Sequence, residues 1–253
     1  MPLLIQFLII KFGWRVSYLI LAGLIFVIGL PASRLTRLNP SEKGLYPDGM
    51  KGTTENKWNA NPLSNTRDFT FKQALKTGQF WLLLSLYAIS ALPFGIWVHL
   101  KAYMVSFGIT EMTAATAIGL SGGAYTLGAI VISKFSDRTG RKWPLFISLL
   151  SMALMMLWLM KARQPWEFYL FSTITGFSWG AFVLFPAIIA DWFGTKFLGS
   201  ICGMLDVGWG IGGATGPLLA GYIFDTTGSY ELAIIMGATL LFIAMGLSMM
   251  LKP

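Results

Sequence analysis

Two ionisable side chains stand inside long apolar runs of this sequence, His99 and Asp206. An imidazole titrates near neutral pH and can pass a proton or hold an anion. The structural alternative is a helix-end histidine bonded to a backbone carbonyl. Asp206 is the one acid well inside a run rather than near its end. A carboxylate in that setting is costly unless paired or hydrated. It reads either as a proton-coupling group or as a wet carboxylate paired with a loop base such as Lys134. Ser172, Thr175 and Trp179 recur at three- and four-residue spacing and so share one helix face. A polar-aromatic face of this kind wants a cavity or another helix beside it. Tyr87, Trp97 and Tyr125 are similar candidates for substrate or proton binding, with Ser90 and Trp209 beside them. With one cysteine, Cys202, and one histidine, neither a metal-ligand spacing nor an internal disulfide is expected. There is no H-E-x-x-H and no second intramembrane aspartate to pair with Asp206, so neither enzymatic activity nor a cofactor is expected.

The elements that must position these residues follow from composition. Of 253 residues, 55% are hydrophobic and 12% charged, against about 25% charged in soluble domains. A soluble fold could not hide that much apolar surface. A bilayer core of about 30 Å takes roughly 20 apolar residues as helix. On that ruler the sequence predicts spans at about 13–33, 79–106, 112–134, 143–161, 165–190, 198–224 and 229–251. The stretch 2–10 is apolar but too short to cross alone, so the chain is expected to begin inside a helix. Pro93, Pro186 and Pro217 are expected to kink their spans. Gly208, Gly212 and Gly216 repeat every four residues and are expected to let two backbones approach.

Segment 34–78 is polar, with a short amphipathic piece expected at 70–76. It carries Arg34, Arg37, Lys43, Lys51, Lys57, Arg67, Lys72 and Lys76; Lys134, Arg138, Arg141, Lys142, Lys196 and Lys252 fall on the same side. The opposite side receives Lys11, Arg15, Lys101, Lys161 and Arg163. Lys101 is expected to snorkel to the outer headgroups. Fourteen bases against five orient the linker and the C-terminus to the cytoplasm. The basic residues are thus a topology signal rather than a nucleic-acid footprint.

The loop Asp137-Arg138-Thr139-Gly140-Arg141-Lys142 lies at a helix junction on that basic side. Gly140 permits a tight turn, and the cations suit the carbonyl ends of helices. This segment resembles the D-R-x-G-R-R/K loop of the major facilitator superfamily, with Ser133 where that pattern has glycine. Gly13-Trp14-Arg15, Pro40, Gly44, Leu45, Pro47-Asp48-Gly49, His99-Leu100, Asp191-Trp192-Phe193-Gly194, 212–218 and 224–230 are similar to its monocarboxylate and oxalate/formate branch. The resemblance implies an all-α integral membrane protein: the C-terminal six-helix bundle of a facilitator (79–253), a cytoplasmic linker (34–78), and the end of helix five with helix six (1–33). It also implies a secondary active transporter, or the C-terminal part of one, sited in the cell (inner) membrane and needing an N-terminal half. The Asp137, Arg138, Gly140, Arg141 and Lys142 loop would serve conformational change. Oxalate-type members use bases in helices eight and eleven, whereas 112–134 is free of bases until Lys134 and 198–224 holds Asp206 instead. A monocarboxylate moved by proton symport or anion exchange, held by His99, hydroxyls and a charge from the other half, is therefore the expected cargo. A non-transporting truncated protein, sensor or assembly subunit is the alternative.

Overall fold

A computed structural model describes residues 2–35 and 68–251, and these are helical without any strand. Arg37, Lys43, Lys51, Lys57, Arg67, Lys252 and the 40–49 motif lie outside the described residues. The chain divides into two compact units, 1–65 and 66–253.

The first unit contains α1, Pro2–Leu35. Its 34 residues exceed one bilayer crossing, and the helix is interrupted at Gly13, with φ 76°. The apolar piece before Gly13 and the span after it are thus separate helical stretches, at the boundary expected from sequence. Ser17 donates to the Gly13 carbonyl at 2.7 Å, meeting one of the groups the break releases.

The second unit opens with one short helical turn, α2 (Phe71–Ala74), where the amphipathic piece was expected. Thr70 and Gln73 form a reciprocal capping box at its start. Then follow α3 (Gly78–Ala91), α4 (Phe94–Ser106), α5 (Glu111–Thr139), α6 (Lys142–Leu159), α7 (Pro165–Trp179), α8 (Leu184–Phe193), α9 (Leu198–Thr227) and α10 (Glu231–Met249). Helices α3 and α4 form one span broken at Pro93. Helices α7 and α8 form another, joined through a 3-10 turn at Gly180–Val183. Pro186 accounts for that turn: its ring crowds the carbonyl four residues back, at Phe182, and it offers no N–H. Pro217, by contrast, stays within the unbroken helix α9.

Six helical spans among the described residues are long and apolar enough to cross a membrane. The seventh expected span, α9, has the length at 30 residues. Its glycines, Asp206 and Asp225 leave it less apolar than the others. Helix pairs α5 with α7, α6 with α10, and α3/α4 with α9 make the main packing contacts. Phe80, Phe168, Phe171 and Phe185 are fully buried between them, while Leu127, Ile130, Ile211 and Leu218 point outward. A fully apolar outside of this kind is the surface of a lipid-embedded bundle.

Hydrophobic burial drives helix association weakly in lipid, so packing contact decides it. Gly212 and Gly216 set their α-carbons against the Ala88 and Leu92 carbonyls, and Gly95 meets the backbone of Gly216. On the other side Gly176 abuts Ser121, and Gly128 and Gly180 bring the backbones of α5 and the 3-10 turn together. A methyl group at Gly212 would collide with Ala88 and Ala91, whereas one at Gly213 would meet nothing within 4 Å. Gly212→Ala is therefore expected to lose about 1–3 kcal/mol through overpacking. Gly213→Ala should be neutral or gain up to about 1 kcal/mol from helix propensity. Thermal unfolding in detergent checks the pair, and equal midpoints would refute this packing.

Candidate functional site

The expected site residues separate into four places. Tyr87 of α3, Tyr125 of α5 and Asp206 of α9 come together. The Asp206 carboxylate is the hydrogen-bonding neighbour of the Tyr87 hydroxyl, and Tyr125 and Cys202 stand within electrostatic range of this pair. Tyr125 lies 14 residues from either end of α5, about 21 Å of helix, so this group is deep in the span. Asp206 is exposed on the bundle surface. The three ion pairs among the described residues use Glu111, Asp137 and Asp191, and none involves Asp206. The expected pairing with Lys134 is not formed. Beneath the carboxylate lie stacked aromatic side chains. Tyr87 packs on Phe185 at 4.3 Å and Trp209 at 5.2 Å between ring centroids, and Phe182 meets Trp209 at 5.0 Å.

His99 lies elsewhere. Its Nε2 is 3.1 Å from the Pro217 carbonyl and its Nδ1 is 3.3 Å from the Tyr230 hydroxyl. A carbonyl can only accept, so Nε2 carries the hydrogen, and in the neutral ring Nδ1 accepts from Tyr230. Both ring nitrogens are occupied. The carbonyl-bound alternative for this histidine is the one the geometry matches. Pro217 follows Asp206 by eleven residues on α9, about 16 Å along the axis, so His99 and Asp206 do not form one site. Lys101, two residues on, pairs with Glu111 at 3.0 Å instead of only reaching for headgroups.

Trp97 and Trp179 form the third place, with ring centroids 4.7 Å apart and Phe94 and Phe171 against them. Ser172 and Thr175 form the fourth. They are 0% and 1% exposed, in the packed interior, with side-chain hydroxyls that have no hydrogen-bond partner among the described residues. The shared face expected for Ser172, Thr175 and Trp179 is thus divided between buried helix packing and a ring stack.

The basic loop has its own geometry. Gly140 ends α5 with φ 82° and its N–H reaches the Ser136 carbonyl at 2.9 Å. Arg141 then binds Asp137 at 3.0 Å and Asp191 of α8 at 3.2 Å, with Ser136 Oγ at 3.3 Å. One guanidinium thereby ties two helices together, using its forked donors. These residues, with Lys142, Trp143 and Trp192, line a cavity of about 560 Å³. At the same end Asp68 accepts from the Lys196 N–H at 3.3 Å, and the Phe69 N–H donates to the Phe193 carbonyl at 2.9 Å. Asp191, Tyr230, Phe182 and Phe185 did not stand out in the sequence as partners of these groups. Spacing relates residues within a helix, and each of these contacts crosses between helices. In a double-mutant cycle, Arg141→Gln and Asp191→Asn should couple by about 0.5–1 kcal/mol, as expected for a half-exposed pair. Arg141→Lys should resemble Arg141→Gln more than the unaltered protein, because an ammonium cannot span both carboxylates with the same geometry. Thermal unfolding of the four variants reads both expectations.

Comparison with known proteins places the chain. The family model described as Major Facilitator Superfamily matches residues 94–253. The chain is 27% identical over 252 residues to Monocarboxylate transporter 12 of Rattus norvegicus, covering 92% of this chain and 52% of that protein. It is 26% identical over 235 residues to MFS transporter asaE of Aspergillus flavus, covering 90% of this chain and 48% of that protein. A shorter match, 31% over 134 residues, is to Multidrug resistance protein MdtG of Enterobacter lignolyticus, covering 51% of this chain and 32% of that protein. The chain spans about half the length of the curated relatives it matches across most of its own. An all-α, multi-pass membrane chain with this helix order and this matched region belongs to the major facilitator superfamily of transporters.

Proposed function

We propose that this chain supplies the C-terminal bundle (79–253), the cytoplasmic linker (34–78) and the last N-terminal-bundle helices (1–33) of a secondary active transporter. Its cargo is a small organic anion, a monocarboxylate, moved by proton symport or anion exchange across the cell (inner) membrane. The observation that carries this reading is the likeness to Monocarboxylate transporter 12 along 92% of the chain. The linker and C-terminus face the cytoplasm by the balance of basic residues. Transporters built from two bundles bind substrate near the midplane and rock one bundle against the other. Arg141, Asp137 and Asp191 hold the basic end of this bundle in one of its arrangements.

Within the bundle, Asp206 is the coupling group. A deep carboxylate without a described basic partner favours the protonated form, and a proton bound there neutralises a charge that would repel an arriving anion. Tyr87 and Tyr125 offer hydroxyls to either protonation state. His99 acts as a brace between α4, α9 and the turn before α10, with both ring nitrogens already engaged.

The test is uptake of labelled lactate by proteoliposomes holding the product of the complete reading frame, with and without an inward proton gradient. Gradient-stimulated uptake supports symport; exchange for preloaded lactate without stimulation supports antiport; no lactate movement in either mode overturns the monocarboxylate reading. Asp206→Asn is expected to abolish at least tenfold of any gradient stimulation while sparing exchange. His99→Ala should instead lower the thermal midpoint and keep the gradient response. Loss of the gradient response in His99→Ala but not in Asp206→Asn would reverse the two assignments.

A further inference from the structure

The surroundings of Asp206 are unlike a pocket for a bare carboxylate. Its neighbours are the phenols Tyr87 and Tyr125, the thiol Cys202 and the rings of Trp209 and Phe182. No lysine, arginine or histidine among the described residues is ion-paired with it. Asp206 and Trp209 are three residues apart on α9, so the indole stands on the carboxylate's side of the helix. Tyr87, Phe182 and Trp209 are only partly buried, and Tyr125 is 40% exposed. The carboxylate therefore stands at the rim of an aromatic floor that is open on one side.

Each of these parts favours positive charge. Aromatic faces carry negative potential and attract ammonium groups. A deep carboxylate attracts the same groups more strongly as water is excluded. An unsubstituted monocarboxylate would bring a second negative charge to this floor and find no cation on it.

We infer that this wall binds the cationic group of a zwitterionic substrate, a monocarboxylate that also carries an ammonium or quaternary ammonium. The cation sits against Asp206, Tyr87 and Trp209, and the substrate's carboxylate points away from this floor. The inference rests on the monocarboxylate reading above and narrows its substrate class.

Two isosteric pairs test it. Glycine betaine and 3,3-dimethylbutanoate have the same shape and differ in the positive charge. So do 4-(trimethylammonio)butanoate and 5,5-dimethylhexanoate. Uptake of each is measured with the complete protein in proteoliposomes. Protection of Cys202 from maleimide alkylation is followed alongside, by mass spectrometry of its peptide. Cys202 lies one helical turn before Asp206 and so reports occupancy directly. The expected result is that, in at least one pair, the zwitterion is taken up at least tenfold faster than its uncharged-headed partner and slows alkylation of Cys202. Asp206→Asn and Trp209→Leu should each erase that preference, and Asp206→Glu should retain it.

If the carboxylates without the cation are moved equally or better, the inference falls while the monocarboxylate reading stands. If neither member of either pair is moved or protects Cys202, both fall. A preference that survives Asp206→Asn in protein of unchanged thermal midpoint also overturns the assignment, because the cation is then held elsewhere.

Discussion

The structure depends on how closely helix backbones can approach. Water does not press the outer faces of these helices together, because lipid tails are as apolar as the leucines that face them. Association has to come from contact, and contact is closest where side chains are absent. Gly95, Gly212 and Gly216 bring α3/α4 onto α9, and Gly128, Gly176 and Gly180 bring α5 onto the span formed by α7 and α8. These two close seams put Tyr87 beside Asp206 and the aromatic rings of three elements over one another. The same glycines lower the apolarity of α9, which is why the helix bearing the most polar group is also the least oily. Close packing and tolerance of a carboxylate are thus met by one composition.

Charge is handled differently at the two depths. At the basic end, acids and bases are paired: Arg141 bridges Asp137 and Asp191, and the Asp68 carboxylate receives the Lys196 amide. Such contacts are partly wet and individually small, so they suit a surface that must form and release as a transporter changes state. Deep in the bundle, Asp206 has a phenol, a thiol and aromatic rings for company. A group left in that condition has its charge balanced by something that arrives, whether a proton or a cationic substituent. His99 shows the opposite arrangement. Its two hydrogen bonds knit α4 to α9 and to Tyr230, and the imidazole fills a place in the wall.

The spans, the linker, the break at Gly13, the kink at Pro93 and the glycine stripe of α9 were legible in the sequence. Each is a local property: apolar length, a residue with restricted or unusual φ, or a repeat every four positions. The segregation of bases was legible for the same reason, since loops alternate sides once the spans are counted. Pro217 was misleading because an interior proline kinks a helix only when its neighbours cannot absorb the missing bond, and this one sits in an unbroken α9 with glycines around it. Lys101 was misleading because its partner Glu111 belongs to the next helix.

Membrane class, span positions and the candidate polar groups were therefore determined by the sequence alone, because lipid imposes rules that act on each segment separately. Which of those groups meet was decided only by tertiary structure. His99 and Asp206 are both ionisable and both intramembrane, yet one is braced by Pro217 and Tyr230 and the other stands over an aromatic floor about 16 Å along the same helix. Ser172, Thr175 and Trp179 share a face in a straight helix, but the crossing of α5 and α7 buries the first two and leaves the third to stack on Trp97. Helical spacing sets which side chains point the same way, and only the packing of one helix on another sets what they point at.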